Sequence, residues 1–174
     1  MTTFGVDAKK RLNKLSKGML SMVTIIVALA SKAEFTLLDE PVAGLDVVAR
    51  EQFYRLLLQE YTQTGRTFVI STHIIEEAAD LLEEVIILDQ GRVIRKENTQ
   101  ELVGRAFQVT GLAEQVEAAI GNLETHHKES LGRSESAMVF LQEGQSIPEG
   151  YEITVQPVNL QKVFVALCGG ETQI

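Results

Sequence analysis

Asp39 and Glu40 are the residues of this chain best placed to do chemistry, because they close the apolar run Phe35-Thr36-Leu37-Leu38. A short, continuously apolar run reads as a strand buried in a parallel sheet, and such sheets bind ligands beyond the carboxyl ends of their strands. Two carboxylates at that edge suit a magnesium nucleotide. The first can hold the metal, directly or through water, and the second can orient a water for in-line attack on a phosphoryl group. The plain alternative is an exposed strand-end Asp-Glu pair with no task, and the pair by itself leaves both readings open.

The neighbours narrow the choice. Asp39-Glu40-Pro41 is followed by Gly44-Leu45-Asp46, and the next apolar strand ends in Ser71-Thr72-His73. In order and spacing these residues resemble the ATP-binding-cassette (ABC) ATPases. In that family the strand-end Asp-Glu is the Walker B motif, Gly-Leu-Asp lies in the D-loop, and a histidine after the next strand touches the gamma phosphate. Upstream, Leu15-Ser16-Lys17-Gly18-Met19 resembles the family signature, usually Leu-Ser-Gly-Gly-Gln, which opens a helix whose unpaired N–H groups and dipole meet an anion. The resemblance implies ATP and magnesium as cofactors. It implies that Asp39 binds magnesium, that Glu40 polarises the attacking water and that His73 senses the gamma phosphate. It further implies that Asp46 communicates across a dimer and that Ser16 and Gly18 complete the partner's site. The partners implied are a transmembrane permease and a second ATP-binding subunit, with membrane contact only through the permease at the cytoplasmic face.

Departures from the family pattern are informative. Lys17 stands for a glycine and Met19 for a glutamine, a variation associated with ABC-2-type exporters, and Leu20-Ser21-Met22 replaces the usual polar Lys/Gln-Gln-Arg segment. These changes bear on the rate of hydrolysis. A phosphate-binding P-loop needs Gly-Lys followed by Ser or Thr, and no Gly-Lys dipeptide occurs in the chain. The expectation is therefore a stretch of an exporter ATPase that does not bind or hydrolyse ATP alone. The alternative is a non-catalytic regulatory or interaction module of the same ancestry. Near the carboxyl end, the segment from Val155 to Phe164 is similar to the closing Pro-x-x-Leu-Glu-Asp-Val-Phe segment of exporter ATPases. The resemblance covers residues 4–103 and, more loosely, the tail.

The elements that would position these residues follow from pattern. Ser16 to Ser31 reads as a helix apolar on nearly every side, which predicts burial all round or, failing that, self-association. Asp46 can cap a helix to about Gln63, with Phe53, Leu56, Leu57 and Tyr61 on one face and Gly65 as the stop. Thr67 to Ser71 is a second strand, Ile74 to Leu82 a helix and Val85 to Leu88 a third strand, an alternation that predicts parallel βαβ units. Asp89-Gln90-Gly91 turns the chain into a strand over Arg92 to Arg95, and Asn98 with Glu101 resembles a capping box. Beyond Gly104 the prediction is a strand (Ala106–Thr110), a helix (Leu112–Ile120), a polar loop (Asn122–Ser136), two strands (Ala137–Leu141, Tyr151–Val155) and a helix (Val158–Leu167). The expected fold class is α/β. Residues 1–103 form part of a RecA-like P-loop NTPase parallel sheet with its signature helix, and 104–174 a small α+β accessory domain, for which a ferredoxin-like arrangement is one reading.

Composition agrees. The 174 residues carry 16 basic and 24 acidic side chains, a net charge of −8, which argues against nucleic acid as a partner. Residues 1–103 hold 12 basic and 15 acidic side chains against 4 and 9 in the tail, so the tail is the more acidic part. A lone cysteine, Cys168, cannot form an intrachain disulfide and fits a reducing compartment. The lysines before the apolar run Met19–Ala30 imitate a secretory signal. The run is too short to span a membrane, and it is continuous with the strand and acidic motif that follow. His126-His127 reads as part of a solvated loop, since no third ligand lies at metal-site spacing.

Overall fold

The computed structural model describes residues 11–169. By packing, the chain divides into two compact units, one running to Ile74 and the other from Ile75.

In the first unit, α1 (Lys17–Ala30) starts at Ser16, whose Oγ accepts from the Met19 N–H at 3.2 Å. Its all-round apolar surface predicted burial all round, but only Met22 and Ile25 are buried and Val27 is 63% exposed. The reason is the size of the sheet beside it, which has two strands, β1 (Phe35–Asp39) and β2 (Thr67–Ser71). They run parallel, with Phe35 opposite Thr67 and Asp39 opposite Ser71. Burial alternates along β1: Thr36 and Leu38 are buried while Phe35 and Leu37 are open. A strand read as apolar on both faces is thus covered on one.

The crossover between β1 and β2 is α2 (Val47–Thr64), capped by Asp46 at its start and ended by Gly65 at φ 63°, a left-handed position where glycine carries no Cβ penalty. Its buried face is Phe53, Tyr54 and Leu57, with Tyr54 in place of the predicted Tyr61. Arg66, predicted by no pattern, is buried at the end of this crossover. It donates to the carbonyls of Leu29 at 2.9 Å and Ala33 at 3.3 Å, lies 3.2 Å from Glu60 and stacks on the Phe68 ring.

In the second unit, α3 (Ile75–Ala78) continues as a 3-10 turn, Ala79–Leu81. The strand that follows, β3 (Glu84–Asp89), does not extend the parallel pair. It forms an antiparallel hairpin with β4 (Arg92–Asn98), since the two residues between them, Gln90 and Gly91, take the positive φ values of a tight hairpin turn. Asn98 caps α4 (Thr99–Gly104), accepting from Gln100 and Glu101 N–H.

A four-stranded antiparallel sheet follows, in the order β6-β7-β5-β8. Its strands are β5 (Ala106–Leu112), β6 (Glu124–Leu131), β7 (Ser134–Phe140) and β8 (Ile153–Pro157). The polar loop predicted over 122–136 is mostly β6. Its residues are polar on both faces, as an edge strand allows, so no alternation marks it. Helix α5 (Ala113–Ile120) shares a core with Val109, Ala137 and Val139, and α6 (Leu160–Cys168) one with Ala106, Met138 and Phe140 that also takes in Val85, Ile87 and Leu102. Among the described residues no helix is long and apolar enough to cross a membrane.

Candidate functional site

The carboxyl ends of β1 and β2 bring Asp39, Glu40 and His73 together. Because the strands are parallel and in register, Asp39 lies opposite Ser71, and the Ser71 hydroxyl donates to Asp39 Oδ1. Ser71 was legible as a strand end but not as a partner of the carboxylate. Only the register reveals it.

Glu40 continues the ladder for one residue, donating its N–H to the Ser71 carbonyl at 2.9 Å. It then turns at φ 44°, a left-handed conformation that costs a non-glycine residue on the order of 1–2 kcal/mol. Pro41 adds to the constraint, since it disfavours the right-handed helical region for the residue before it. This turn aims the Glu40 side chain back at the end of β2. There Oε1 accepts from the His73 backbone N–H at 3.1 Å and from Nδ1 of its ring at 2.8 Å. With the proton on Nδ1, the neutral ring keeps Nε2 as an acceptor, and the imidazolium would make it a donor. His73 itself is 74% exposed.

The second carboxylate oxygen, Glu40 Oε2, is buried and has no hydrogen-bond partner. A buried acceptor left unpaired costs about 1–3 kcal/mol, and because no water reaches Oε2 in this conformation, the carboxylate must turn outward before it can polarise one. Asp39 suits magnesium in a complementary way. An ion that keeps waters and substrate phosphates needs only one or two protein carboxylates. No group of three or more metal-ligating side chains occurs among the described residues.

A second cluster forms where Lys17 and Gly18, just after Ser16, lie against Gly44 and Leu45, just before Asp46. A Cβ on Gly18 would lie 2.9 Å from the Gly44 carbonyl oxygen, closer than such atoms approach, and Gly44 at φ 80° faces the Lys17 stem. The start of α1 is therefore seated on the Gly44-Leu45-Asp46 segment. Asp46 is occupied as a cap, its Oδ1 accepting from Ala49 N–H at 2.9 Å. Val42 and Leu45, both buried, pin the segment joining the two clusters, closed by Ala43 N–H to Glu40 O at 3.0 Å and Leu45 N–H to Val42 O at 3.1 Å.

His126 and His127 lie on β6 rather than in a loop, each bonded to a nearby glutamate, Glu124 and Glu129. Cys168 packs against the core of the second unit, where burial, with the Asp89 charge adding to it, pushes its thiol up. That agrees with a structural role.

Comparison with known proteins follows the same residues. Residues 4–79 match a family model described as "AAA domain, putative AbiEii toxin, Type IV TA system". The taurine import ATP-binding protein TauB of Burkholderia thailandensis is 38% identical over 88 residues, 49% of this chain and 34% of that protein. The phosphonates import ATP-binding protein PhnC of Trichormus variabilis is 39% identical over 87 residues, 50% of this chain and 36% of that one. Among solved structures, the dimeric bacterial ABC transporter cassette MJ0796 superposes with a TM-score of 0.51 at 31% identity, covering 56% of this chain and 43% of that cassette. This chain thus spans about a third of the length of these curated relatives. The α/β fold, the strand-end carboxylates and these relatives together make the chain, over about half its length, similar to ABC transporter ATP-binding proteins.

Proposed function

We propose that this chain carries the signature-to-switch portion of an ABC transporter ATP-binding subunit, which couples ATP hydrolysis to transport. The observation that carries the proposal is the pairing at the ends of β1 and β2. Asp39 is held by Ser71, and Glu40 is held by His73. In this reading Asp39 sits in the Walker B position and holds magnesium, which when bound would neutralise phosphate charge. Glu40 polarises the attacking water and His73 contacts the gamma phosphate. Ser16 and Gly18 complete a site on a partner subunit, and Asp46 relays across the dimer while capping α2.

The finer assignments rest on the sequence. Lys17 and Met19 in the signature, with the Val155–Phe164 segment, support an exporter acting with a transmembrane permease at the cytoplasmic face, although TauB and PhnC are named as import proteins. On this reading the cassette portion extends to residue 103 and an accessory domain begins at Gly104. An antiparallel sheet in the order β6-β7-β5-β8 supports a ferredoxin-like accessory domain, although the connection from β7 to β8 carries no helix.

No Gly-Lys dipeptide lies within these residues, so they provide no P-loop cradle and do not bind magnesium ATP by themselves. The same observation favours a second reading, a non-catalytic interaction module of ABC ancestry. Two measurements separate the possibilities. Calorimetry of the 174-residue chain with magnesium ATP is expected to show no binding, and micromolar affinity would refute that expectation. In a complete ATP-binding subunit containing this stretch, Glu40→Gln is expected to slow phosphate release by about 100-fold or more, the usual worth of a positioned base. Unchanged release would establish the non-catalytic reading instead.

A further inference from the structure

The second unit holds a cavity of about 220 Å³ between α6 and one face of the four-stranded sheet, lined by Gln108, His127, Glu129, Ser136, Met138 and Lys162 among others. Drug-sized sites run to roughly 300–1,000 Å³, so an occupant here is small. None of these residues belongs to the strand-end site of the first unit.

The cavity owes its lining to an irregularity in β6. The β6–β7 register slips between His126 and Lys128, leaving His127 as an extra residue at φ 46°. Such bulges re-aim side chains. Before the slip His126 lies opposite Met138, and after it Glu129 lies opposite Ser136, so both face the α6 side of the sheet. Lys128 lies opposite Ala137 and faces the α5 side. His127, the residue inserted at the slip, lines the α6-side cavity and is about three-quarters buried. A regular strand would alternate these faces and bring no two consecutive side chains to one side. The sequence pays for the insertion with a left-handed non-glycine residue, a strain that persists where the surroundings hold it in place.

Hydrogen-bond directions then decide what the cavity recognises. Lys162 Nζ donates to Gln108 Oε1 at 2.9 Å, and Gln108 Nε2 donates to Ser136 Oγ at 2.9 Å. Ser136 accepts from Gln108, and with Thr110 Oγ1 as far as 3.5 Å away its own O–H is free to turn toward the cavity as a donor. The Lys162 ammonium has three hydrogens and uses one on Gln108. The His127 ring is steadied by Glu129, 2.9 Å from its Nε2. Lys162 brings the lining a full positive charge with two hydrogens unspent on Gln108, while the one carboxylate of the lining, Glu129, is engaged by His127. Met138, buried beneath, and Val165 at the side supply apolar contact.

We propose that this cavity binds a small molecule through an oxyanion, a carboxylate or a phosphate group, held by Lys162 and Ser136 with His127 closing the site. A bare anion fills the polar end, and a short organic acid would also use the Met138 and Val165 walls.

The test is NMR titration of the 174-residue chain with three probes: inorganic phosphate, succinate and its neutral analogue succinamide. The expected result is saturable movement of the His127, Ser136 and Gln108 signals with succinate, phosphate or both, and none with succinamide. Phosphate alone identifies a phosphoryl ligand, and succinate alone a carboxylate. Lys162→Gln and, separately, Ser136→Ala should each weaken binding, the first by about tenfold or more, as expected for a charged hydrogen bond, with the rest of the spectrum intact. No saturable movement with either anion overturns the proposal. So does equal binding of succinamide, or undiminished binding by a folded Lys162→Gln variant. Should Lys162→Gln fail to fold, Ser136→Ala carries the same test, since it removes the donor without touching the α6 surface.

Discussion

At the scale of single residues, the candidate site depends on two places where the backbone does what most residues avoid. Glu40 adopts a left-handed φ before a proline, and that turn carries its carboxylate to His73. Gly18 sits where any side chain would strike Gly44 O at 2.9 Å. The first could not be foreseen, because strand-end Asp-Glu pairs do not announce a reversed φ. The second was half visible, as a glycine in a motif whose packing partner was unknown. Gly18→Ala should therefore destabilise the first unit by about 1–3 kcal/mol, the usual cost of overpacking a fixed backbone, because the obstacle is a carbonyl rather than a side chain that can swing aside. The measurement is a urea midpoint followed by a probe in this unit, with the slope unchanged. A wild-type midpoint would show that the start of α1 is not seated on the Gly44 segment.

At the scale of elements, local signals were reliable where the cause of an element is local. Asp46, Asn98 and Ser16 cap as their types predict, and Gly65 ends α2, since each interaction spans only a few residues. Pairing was less legible. Nothing in Val85–Leu88 distinguishes a third parallel strand from one arm of a hairpin except the Gln90-Gly91 turn, and β6 lacks apolar alternation altogether. Arg66 illustrates a tie with no sequence signature. It bonds the carbonyl of Leu29 at the end of α1, the loop carbonyl of Ala33 and the Glu60 carboxylate of α2. Because its guanidinium is buried, Arg66→Ala would leave the Leu29 and Ala33 carbonyls without this donor and Glu60 with Lys32 alone, and the expected loss is about 2–4 kcal/mol. Arg66→Lys should recover only part of it, since one ammonium cannot span the three acceptors. Thermal or urea unfolding of both variants checks this, and equal stability of Ala and wild type would refute it. The same cluster sets an acid limb. The Lys32 hydrogen bond, aided by the charges of Lys32 and Arg66, holds the Glu60 carboxyl below its ordinary value against some desolvation. A carboxyl depressed in the folded state stabilises above its unfolded value and loses that contribution as pH falls through the folded one. Glu60→Gln should accordingly flatten the stability profile below about pH 4.5, the ordinary glutamate value.

At the scale of the whole molecule, two forces on association oppose each other. A net charge of −8 makes copies repel. Against it stands the uncovered face of β1, where Phe35 is 61% and Leu37 70% exposed, beside Val69 of β2. The sheet has only two strands, so among the described residues each strand also keeps one edge without a ladder partner, and such edges template pairing with another chain. Fully burying a Leu or Phe side chain is worth about 1.5–3 kcal/mol, so a face carrying both can drive weak association once repulsion is screened. The apolar attraction is insensitive to moderate salt, whereas the Debye length falls to a few ångströms as ionic strength approaches about 1 M. The prediction is thus directional. Light scattering of the purified chain should give a mass above 19.2 kDa that rises with protein concentration and with added sodium chloride. Leu37→Lys should return it to the monomer value at every salt concentration, because the new charge lies on the face that must be dehydrated. A monomer throughout would mean that the face is covered in solution. Association that weakens with salt would instead assign it to charged contacts elsewhere on the surface.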